Sequence, residues 1–283
     1  MPDFGIMRGF NDKLFGDKLV AGQLPTQLGL IGSFNVYDAD AQAFFDRVTA
    51  AGGTLSGTEK SAVDTLVRQM KADGTWTPMK AIYPMVGASA AACAQNLKSS
   101  SFTGTFTSGF TFASTGVTPN GTSSYMNTNY LLGSANGFNF NNFHFSHYSR
   151  TNSTSGVQVD MGAGTVGGFN NLYQAIAGSY GGTLMSKQLD VLTTNSLGFL
   201  MKTATSTTNA KLYKNGSLTL TNTATQTTTT DINLNCHIFA QNAAQFSTRQ
   251  CAFASIGDDL TDTQASNLYT AVQAFQTTLS RQV

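Results

Sequence analysis

Carboxylates are scarce in this sequence, and their scarcity limits the chemistry that it can perform. Glu59 is the only glutamate, and residues 82–257 contain just three aspartates, Asp160, Asp190 and Asp231. Hydrolysis of a glycosidic bond commonly requires two closely placed carboxyl groups, which this segment is poorly stocked to supply. We therefore expect a protein that binds or assembles and not an enzyme.

Charge of either sign is also scarce. Charged residues make up 11% of the 283 residues and the net charge is +1, whereas ordinary globular chains carry roughly 25% charged residues. A nearly neutral chain gives no electrostatic basis for binding nucleic acid or an anionic membrane. The hydrophobic fraction, 41%, is sufficient for a sizeable core. Solubility must then depend on hydroxyl and amide side chains, as suits a protein displayed on a larger assembly.

Long apolar runs and cysteine pairs are missing as well. No run approaches the ~20 residues that a membrane-spanning helix needs, and the N-terminal residues lack the apolar region of a signal peptide. The three cysteines, Cys93, Cys236 and Cys251, have no CxxC spacing. We expect buried, inert thiols rather than a metal site or a disulfide framework, although Cys236 and Cys251 could bridge adjacent strands.

The sequence divides into three parts. Residues 1–33 have no periodicity, and we expect them to form an attachment arm that becomes ordered against a partner. Residues 34–81 are predicted to form a helical hairpin, with helices at about 40–51 and from 57 to about 72. The apolar residues that would contact this partner are those of the arm: Phe10, Leu14, Phe15, Leu19, Leu24 and Leu28.

Residues 82–283 change to alternating patterns separated by Gly, Asn, Ser and Thr turns, which predicts an antiparallel β-sandwich. Asn215-Gly216 is a two-residue hairpin signal, and a helix with a Thr261/Gln264 capping box should close the chain. The predicted strands are Phe102–Thr107, Phe110–Ala113, Phe143–Arg150, Gly156–Met161, Leu172–Ile176, Leu197–Thr203, Ala210–Lys214, Ser217–Thr221, Ile232–Ala240 and Cys251–Ile256.

From residue 38 to residue 283 the sequence resembles tailed-bacteriophage virion structural proteins that carry a concanavalin A-like, LamG-like jelly-roll domain. The segments that carry the resemblance are GGTLSGTEKSAVDTLVRQMKADGTWTPMKAIYPMVG, NLKSSSFTGTFTSGFTFASTGVTPNGTSSYMNT, FHFSHYSRTNSTSG, KLYKNGSLTLTNT and RQCAFASIGDDLTDTQASNLYTAVQAFQTTLSRQV.

The resemblance implies a virion component displayed on the particle, as a head decoration, a head fibre or a tail-associated adhesin that binds a receptor. It implies no reaction. By the same analogy residues 1–33 attach the module to the particle, and the partners are other virion proteins and sister subunits. We expect a homo-oligomer, for example a trimer, because displayed modules usually repeat with the symmetry of the particle. The alternative is a bacterial lectin-like module that binds carbohydrate.

Candidate ligand sites follow from side-chain chemistry. Carbohydrate sites combine an aromatic ring with amide and hydroxyl partners, and Tyr125, Tyr130 and Tyr148 lie among Asn, Ser and Gly, as do Tyr173 and Tyr180. We therefore predict glycan contacts at the first three. We predict no catalytic residues and no metal-binding residues, and we expect no cofactor.

Two metal alternatives remain open in the sequence. Calcium binds to aspartate, asparagine and backbone oxygens, which Asp160, or Asp258, Asp259 and Asp262 near the last helix, could supply. The simpler interpretation of the latter group is that acidic residues complement the helix dipole. His144 and His147 are three residues apart in a predicted strand and project to opposite faces, so they cannot share a metal ion.

Overall fold

The computed structural model describes residues 37–154, 156–165, 168–176, 179–184, 187–192, 195–225 and 232–283. Residues Tyr37–Val283 form one compact unit. None of the helices within these ranges is long and apolar enough to cross a bilayer. The six apolar residues of the predicted arm lie outside the described residues, and so does Asp231.

The three helices that the sequence predicts are present, with bounds close to the predicted ones. Helix α1 (Ala39–Ala50) is capped by Asp38. Helix α2 (Gly57–Ala72) starts with a capping box in which Ser56 and Glu59 bond each other's backbone amides. Gly74, with φ of +68°, follows its end, as expected for a left-handed residue after a helix. A short helix, α3 (Ala90–Cys93), comes next, and α4 (Asp262–Thr278) begins with the predicted Thr261/Gln264 capping box.

The described strands form two antiparallel sheets. The eight-stranded sheet, which we name the back sheet, has the order β13-β12-β11-β6-β15-β4-β3, and β1 also pairs with β15. The seven-stranded front sheet has the order β10-β9-β8-β7-β14-β5-β2. The back-sheet strands are β1 (Met79–Tyr83), β3 (Thr111–Ala113), β4 (Gly116–Thr118), β6 (Phe143–Ser149), β11 (Gly198–Ser206), β12 (Asn209–Lys214), β13 (Ser217–Asn222) and β15 (Cys251–Gly257). The front-sheet strands are β2 (Thr105–Phe106), β5 (Met126–Leu131), β7 (Met161–Thr165), β8 (Gly168–Ile176), β9 (Ser179–Leu184), β10 (Lys187–Leu192) and β14 (Asn235–Ile238).

Two apolar layers hold the unit together. Phe145 and Leu200 of the back sheet and Met161 and Ile238 of the front sheet belong to the core between the sheets. A second core lies on the other side of the back sheet, where helices α1, α2 and α4 bury residues such as Phe44 against it. The order of layers is therefore helices, back sheet, front sheet. The helices share a core with the sandwich, and the predicted boundary between residues 81 and 82 falls inside strand β1.

The mainly-β sandwich with an N-terminal helical hairpin and a C-terminal helix is confirmed. The predicted hairpin at Asn215-Gly216 is present, with φ of +48° and +76°. One predicted strand, Gly156–Met161, is wrong, because its residues 157 and 159 form only isolated or irregular contacts and strand β7 begins at Met161. Sequence patterns missed strands β1, β4, β5, β7, β9 and β10 and helix α3.

The three cysteines are buried, free thiols, as predicted from their spacing. Burial raises the pKa of Cys93 to about 12, and it also raises the pKa of Cys236 and of Cys251. Because the thiolate is the reactive form, these raised pKa values make the sulfur atoms inert at neutral pH.

Candidate functional site

The outer surface of the front sheet is built by strand alternation. On β14, Cys236 and Ile238 point into the core between the sheets, so Asn235 and His237 point outward and are half-buried. On the neighbouring β5, Asn127 is half-buried and its register partner on β14 is His237. Directly opposed residues on adjacent strands have Cβ atoms about 4.5–5.5 Å apart. Amide and imidazole groups therefore lie side by side on this surface.

An aromatic pair lies on this surface. The rings of Tyr125 and His237 are stacked, with centroids 4.5 Å apart and planes inclined by 25°. The backbone of Tyr125 is fixed by Thr107, whose N–H donates to the Tyr125 carbonyl and whose hydroxyl accepts from the Tyr125 N–H at 3.0 Å. Tyr125 remains half-exposed, so part of its ring stays available for contact with a ligand.

The protonation of His237 follows from its hydrogen bond. Its Nδ1 lies 3.2 Å from the backbone N–H of Ala243. Since an amide N–H can only donate, Nδ1 accepts, and the neutral ring carries its proton on Nε2. Burial lowers the pKa of His237 below its ordinary value, so the neutral form predominates at neutral pH. The ring therefore presents an N–H donor at Nε2.

A strained loop forms one wall beside the histidine. The side-chain amide of Asn242 donates to the Gly164 carbonyl and accepts from the Gly164 N–H, which ties the loop to β7. Phe239, Asn242, Ala243 and Gln245 all have positive φ. Such backbone is unfavourable for residues other than glycine, and it clusters at ligand sites in many proteins. The hydrogen bonds of Asn242 hold this loop in a costly conformation next to His237.

The loop and strand β14 enclose a cavity of about 340 Å³. It is lined by Leu234, Asn235, His237, Asn242 and Ala243, and none of these described residues carries a charged side chain. Leu234 is 37% exposed, which makes it one of the few large apolar side chains on the described surface. The cavity thus combines the apolar side chain of Leu234, the amide groups of Asn235 and Asn242, and the imidazole of His237. The ring of Tyr125 stacks on that imidazole.

A larger cavity, of about 650 Å³, lies on the helical side, between the start of α2 and the end of α4. Its carboxylate, Glu59, already accepts from the N–H groups of Ser56 and Gly87 at 2.8 Å each. Glu59 therefore caps α2 and ties it to the segment before α3. We assign this carboxylate a structural role.

Two of the three predicted glycan-binding tyrosines lie inside the protein. Tyr130 is 1% exposed and packs edge-on against Phe102 at the core between the sheets. Tyr148 is 0% exposed and its hydroxyl bonds Gln273 of α4. Their burial removes both from the candidate ligand surface, and Tyr125 alone remains on it. The side chains of Tyr173 and Tyr180 are outside the described part of the chain.

Asp160 has a structural environment. Its carboxylate is fully buried and pairs with the Nε of Arg249 at 3.0 Å, and it accepts from the hydroxyl of Ser247 at 2.7 Å. Desolvation opposes its ionisation, but Arg249 prevails and holds the pKa of Asp160 below its ordinary value. Arg249 also donates to the carbonyls of Ser153 and Gln158. An ionised carboxylate with such partners is not available as a general acid.

Two acidic residues near α4 form ion pairs with lysine side chains. Asp258 pairs with Lys80 at 2.9 Å, and Asp262 pairs with Lys211 and accepts from the Tyr213 hydroxyl. Within the described ranges, no group of three or more His, Cys, Asp or Glu residues could hold a metal ion. His144 and His147 are both fully buried, and His144 bonds the Asp258 carbonyl and the Ser255 hydroxyl.

Sequence reasoning found Tyr125 but missed the rest of this surface. It did not predict β5, and it assigned no ligand-binding role to His237. No local signal indicated that the loop at 239–245 folds back beside β14. The cluster of Asn233, Asn235 and Asn242 around His237 was the one hint in the sequence, since asparagine tolerates positive φ.

No protein-family model and no curated protein matches the sequence. Among solved structures, the chain is similar to domain 4 of AbnA, a GH43 extracellular arabinanase from Geobacillus stearothermophilus, in complex with arabinotriose. That match has a TM-score of 0.51 and 15% identity, and it covers 68% of this chain and 98% of the other. A Trypanosoma rangeli sialidase in complex with sialic acid matches with a TM-score of 0.49 and 10% identity, over 73% of this chain and 38% of the sialidase. The botulinum neurotoxin serotype D binding domain matches with a TM-score of 0.46 and 12% identity, over 68% of this chain and 51% of the toxin domain.

At these identities the likeness concerns the fold alone. The arabinanase domain is matched along almost its whole length, and that likeness agrees with the two antiparallel sheets described above. The chain has the fold of an antiparallel β-sandwich domain.

Proposed function

We propose that this protein is a non-catalytic binding module that contacts a glycan through the outer surface of its front sheet. The observation that carries the proposal is the Tyr125–His237 stack beside the cavity of about 340 Å³. An aromatic ring packs against the apolar face of a sugar, and neighbouring amides match its hydroxyl groups, since both can donate and accept. The arabinotriose complex of the similar domain makes a neutral oligosaccharide a natural first ligand to try.

The described carboxylates support binding without hydrolysis. Glycosidases place two carboxyl groups about 5–9.5 Å apart across the scissile bond, but the cavity lining contains no carboxylate. Asp160 is enclosed with Arg249, and Glu59 lies on the helical side in the cap of α2. We therefore propose that the module holds its ligand and leaves it unchanged.

A glycan array with the full chain tests this proposal. We expect selective binding by the wild type and loss of that signal in Tyr125→Ala. Tyr37→Ala is the matched control, because Tyr37 is also half-exposed but packs edge-on against Phe45 of α1. Silence across the array, or equal binding by both variants, would refute the proposed site. Release of new reducing ends from a bound polysaccharide would refute the non-catalytic role.

We propose further that the module is displayed on a bacteriophage particle, as a head decoration, a head fibre or a tail-associated adhesin. The support is the sequence resemblance over residues 38–283, together with the low content of charged residues, 11%. In this proposal residues 1–33 attach the module to the particle, and copies of the chain repeat with its symmetry.

Deletion of residues 1–33 tests the attachment role. We expect the truncated protein to keep the cooperative unfolding of the sandwich and to be absent from purified particles that incorporate the full chain. Incorporation of the truncated protein at normal stoichiometry would contradict the role of the arm. Absence of the full chain from every particle, combined with glycan binding, would favour the alternative of a bacterial lectin-like module.

A further inference from the structure

We propose that the front-sheet site accepts an uncharged saccharide and discriminates against sugars that carry a carboxylate, a sulfate or an ammonium group. This inference rests on the proposed glycan binding and names the chemical class of the ligand. It starts from the lining of the cavity, where Leu234, Asn235, His237, Asn242 and Ala243 include no lysine, arginine, aspartate or glutamate.

The charge-free region extends beyond the cavity. The register of the sheet places Thr105, Asn127 and His237 next to one another on β2, β5 and β14. No lysine or arginine whose side chain the structure describes belongs to a front-sheet strand. Among the described ion pairs, Lys80 on β1 with Asp258 and Lys211 on β12 with Asp262 lie on the back-sheet side, and Arg249 is fully buried with Asp160.

Charged residues of the front sheet are found at its far edge. Lys187 and Asp190 belong to β10, which is four strands away from β14 in the sheet order. At about 4.8 Å per strand this separation is roughly 19 Å, which is about twice the Debye length at physiological salt. Charges at that edge therefore have little influence on a ligand at His237.

The lack of charged side chains at the site should make binding of charged sugars less favourable than binding of neutral sugars. A carboxylate that leaves water for this surface would lose hydration without meeting a cation, and burial of an unpaired ion is far more costly than burial of a hydroxyl. An ammonium group would likewise find no carboxylate among the residues that the structure describes at this surface. A hydroxyl group loses less, because it donates and accepts just as the side-chain amides of Asn127 and Asn235 do.

The polar groups of the site also match neutral partners. His237 presents an N–H at Nε2, because its Nδ1 accepts from Ala243. This single donor suits one hydroxyl oxygen of a sugar ring. Recognition of a carboxylate normally uses a bidentate guanidinium or several N–H groups directed at one point, and the described residues of this surface provide no such arrangement.

Matched neutral and charged oligosaccharides test the inference. The full chain is titrated by calorimetry with lactose and 3′-sialyllactose, and with each neutral glycan that binds on the array alongside its uronic acid and amino-sugar derivatives. We expect each neutral glycan to bind at least tenfold more tightly than its charged derivative. Tighter binding of the charged derivatives would overturn the inference and leave glycan binding intact. Binding to no glycan would overturn the proposed function itself.

A substitution that adds a positive charge to the site provides a second test of the inference. Asn235 is half-buried at the cavity, and Asn235→Lys should improve binding of the acidic derivatives about tenfold, with an effect that weakens as salt is added. Thr111→Lys is the control, since Thr111 is exposed on β3 at the edge of the back sheet, and it should change nothing. Equal gains from both variants would show that net charge, and not this site, decides the preference, and would contradict the inference.

Discussion

The two outer faces of the sandwich follow the same strand alternation and carry different chemistry. The outward residues of the back sheet include Tyr148, Phe199 and Phe253, which belong to the core under the helices. The outward residues of the front sheet at β5 and β14 include Asn127, Asn129, Asn235 and His237, with the half-buried Leu131 as an apolar member. Large apolar outward residues require a cover, and α1, α2 and α4 provide it. Amide-bearing residues need none, and their face remains accessible to a ligand.

The difference between the two faces assigns stability to the helix-covered face and ligand binding to the uncovered face. The helical side should determine how stable the unit is, because burial of apolar surface is the main favourable term in folding. The front face should determine what the unit binds. Each of the following predictions would weaken or sharpen this separation.

The largest expected effect is a loss of stability on the helical side. Phe44 of α1 is 0% exposed, and Phe44→Ala should cost about 3–5 kcal/mol of unfolding free energy through the cavity it leaves. Urea denaturation measures this cost, with Gln42→Ala at an exposed position of the same helix as the control. Affinity for glycan, expressed per folded molecule, should be unchanged. A parallel loss of affinity would show that the helical layer contributes to the site.

The histidines of the back sheet predict instability in acid. Burial lowers the pKa values of His144 and His147 to about 4, whereas the unfolded chain titrates near 6.5. Between pH 4 and pH 6.5 the unfolded state binds more protons than the folded state does. The free energy of unfolding is therefore highest above about pH 6.5 and falls as the pH decreases toward 4. The loss is on the order of 2–3 kcal/mol per histidine.

Urea denaturation at pH 7 and pH 4.5 measures this loss. His147→Leu should reduce the difference between the two pH values, while His237→Gln, at the half-buried front face, should change it less. Unfolding free energies that are equal at both pH values would contradict the burial of these two imidazoles.

Acid should also act on the front face, through a different histidine. The pKa of His237 is lowered by burial, and protonation would place a proton on the Nδ1 that now accepts from Ala243. Binding should therefore be constant above about pH 6.5 and fall several-fold once the pH passes below the lowered pKa. His237→Gln should bind more weakly and lose this pH dependence. An unchanged pH profile in that variant would exclude His237 from the site.

The smallest effect is expected at the loop beside the histidine. Asn242→Ala removes two hydrogen bonds to Gly164, and it should weaken binding a few-fold while lowering stability by about 1–2 kcal/mol. Thr248→Ala, at an exposed position beyond the loop, should affect binding little. Calorimetry and urea denaturation of both variants measure the difference. A large stability loss without an effect on binding would mean that the loop serves only the fold.

Local signals in the sequence predicted the three longer helices and one hairpin well. The Ser56/Glu59 and Thr261/Gln264 capping boxes and the Asn215-Gly216 turn depend on neighbours in the chain, so their chemistry is visible without the fold. Strands β1 and β5 were missed because their residues pair with distant partners, for example Ala81 with Ile256 and Asn127 with His237.

The site was less predictable than the fold. Tyr130 and Tyr148 have local sequences similar to that of Tyr125, but Tyr130 points into the core between the sheets and Tyr148 lies under the helices, so both are buried. A tyrosine becomes a ligand contact only if it lies on the face that stays uncovered, and that is decided by the position of the helices. Similarly, the pairing of Asp160 with Arg249 joins residues 89 positions apart, and no spacing rule identifies such a pair.

Hydrogen exchange with and without the best glycan from the array tests the central claim most directly. With the full chain saturated by that glycan, the account predicts slower exchange at residues 125–129 and 234–244 and unchanged exchange in α1, α2 and α4. Protection confined to the helices, or to the larger cavity between α2 and α4, would contradict the assignment of binding to the front sheet.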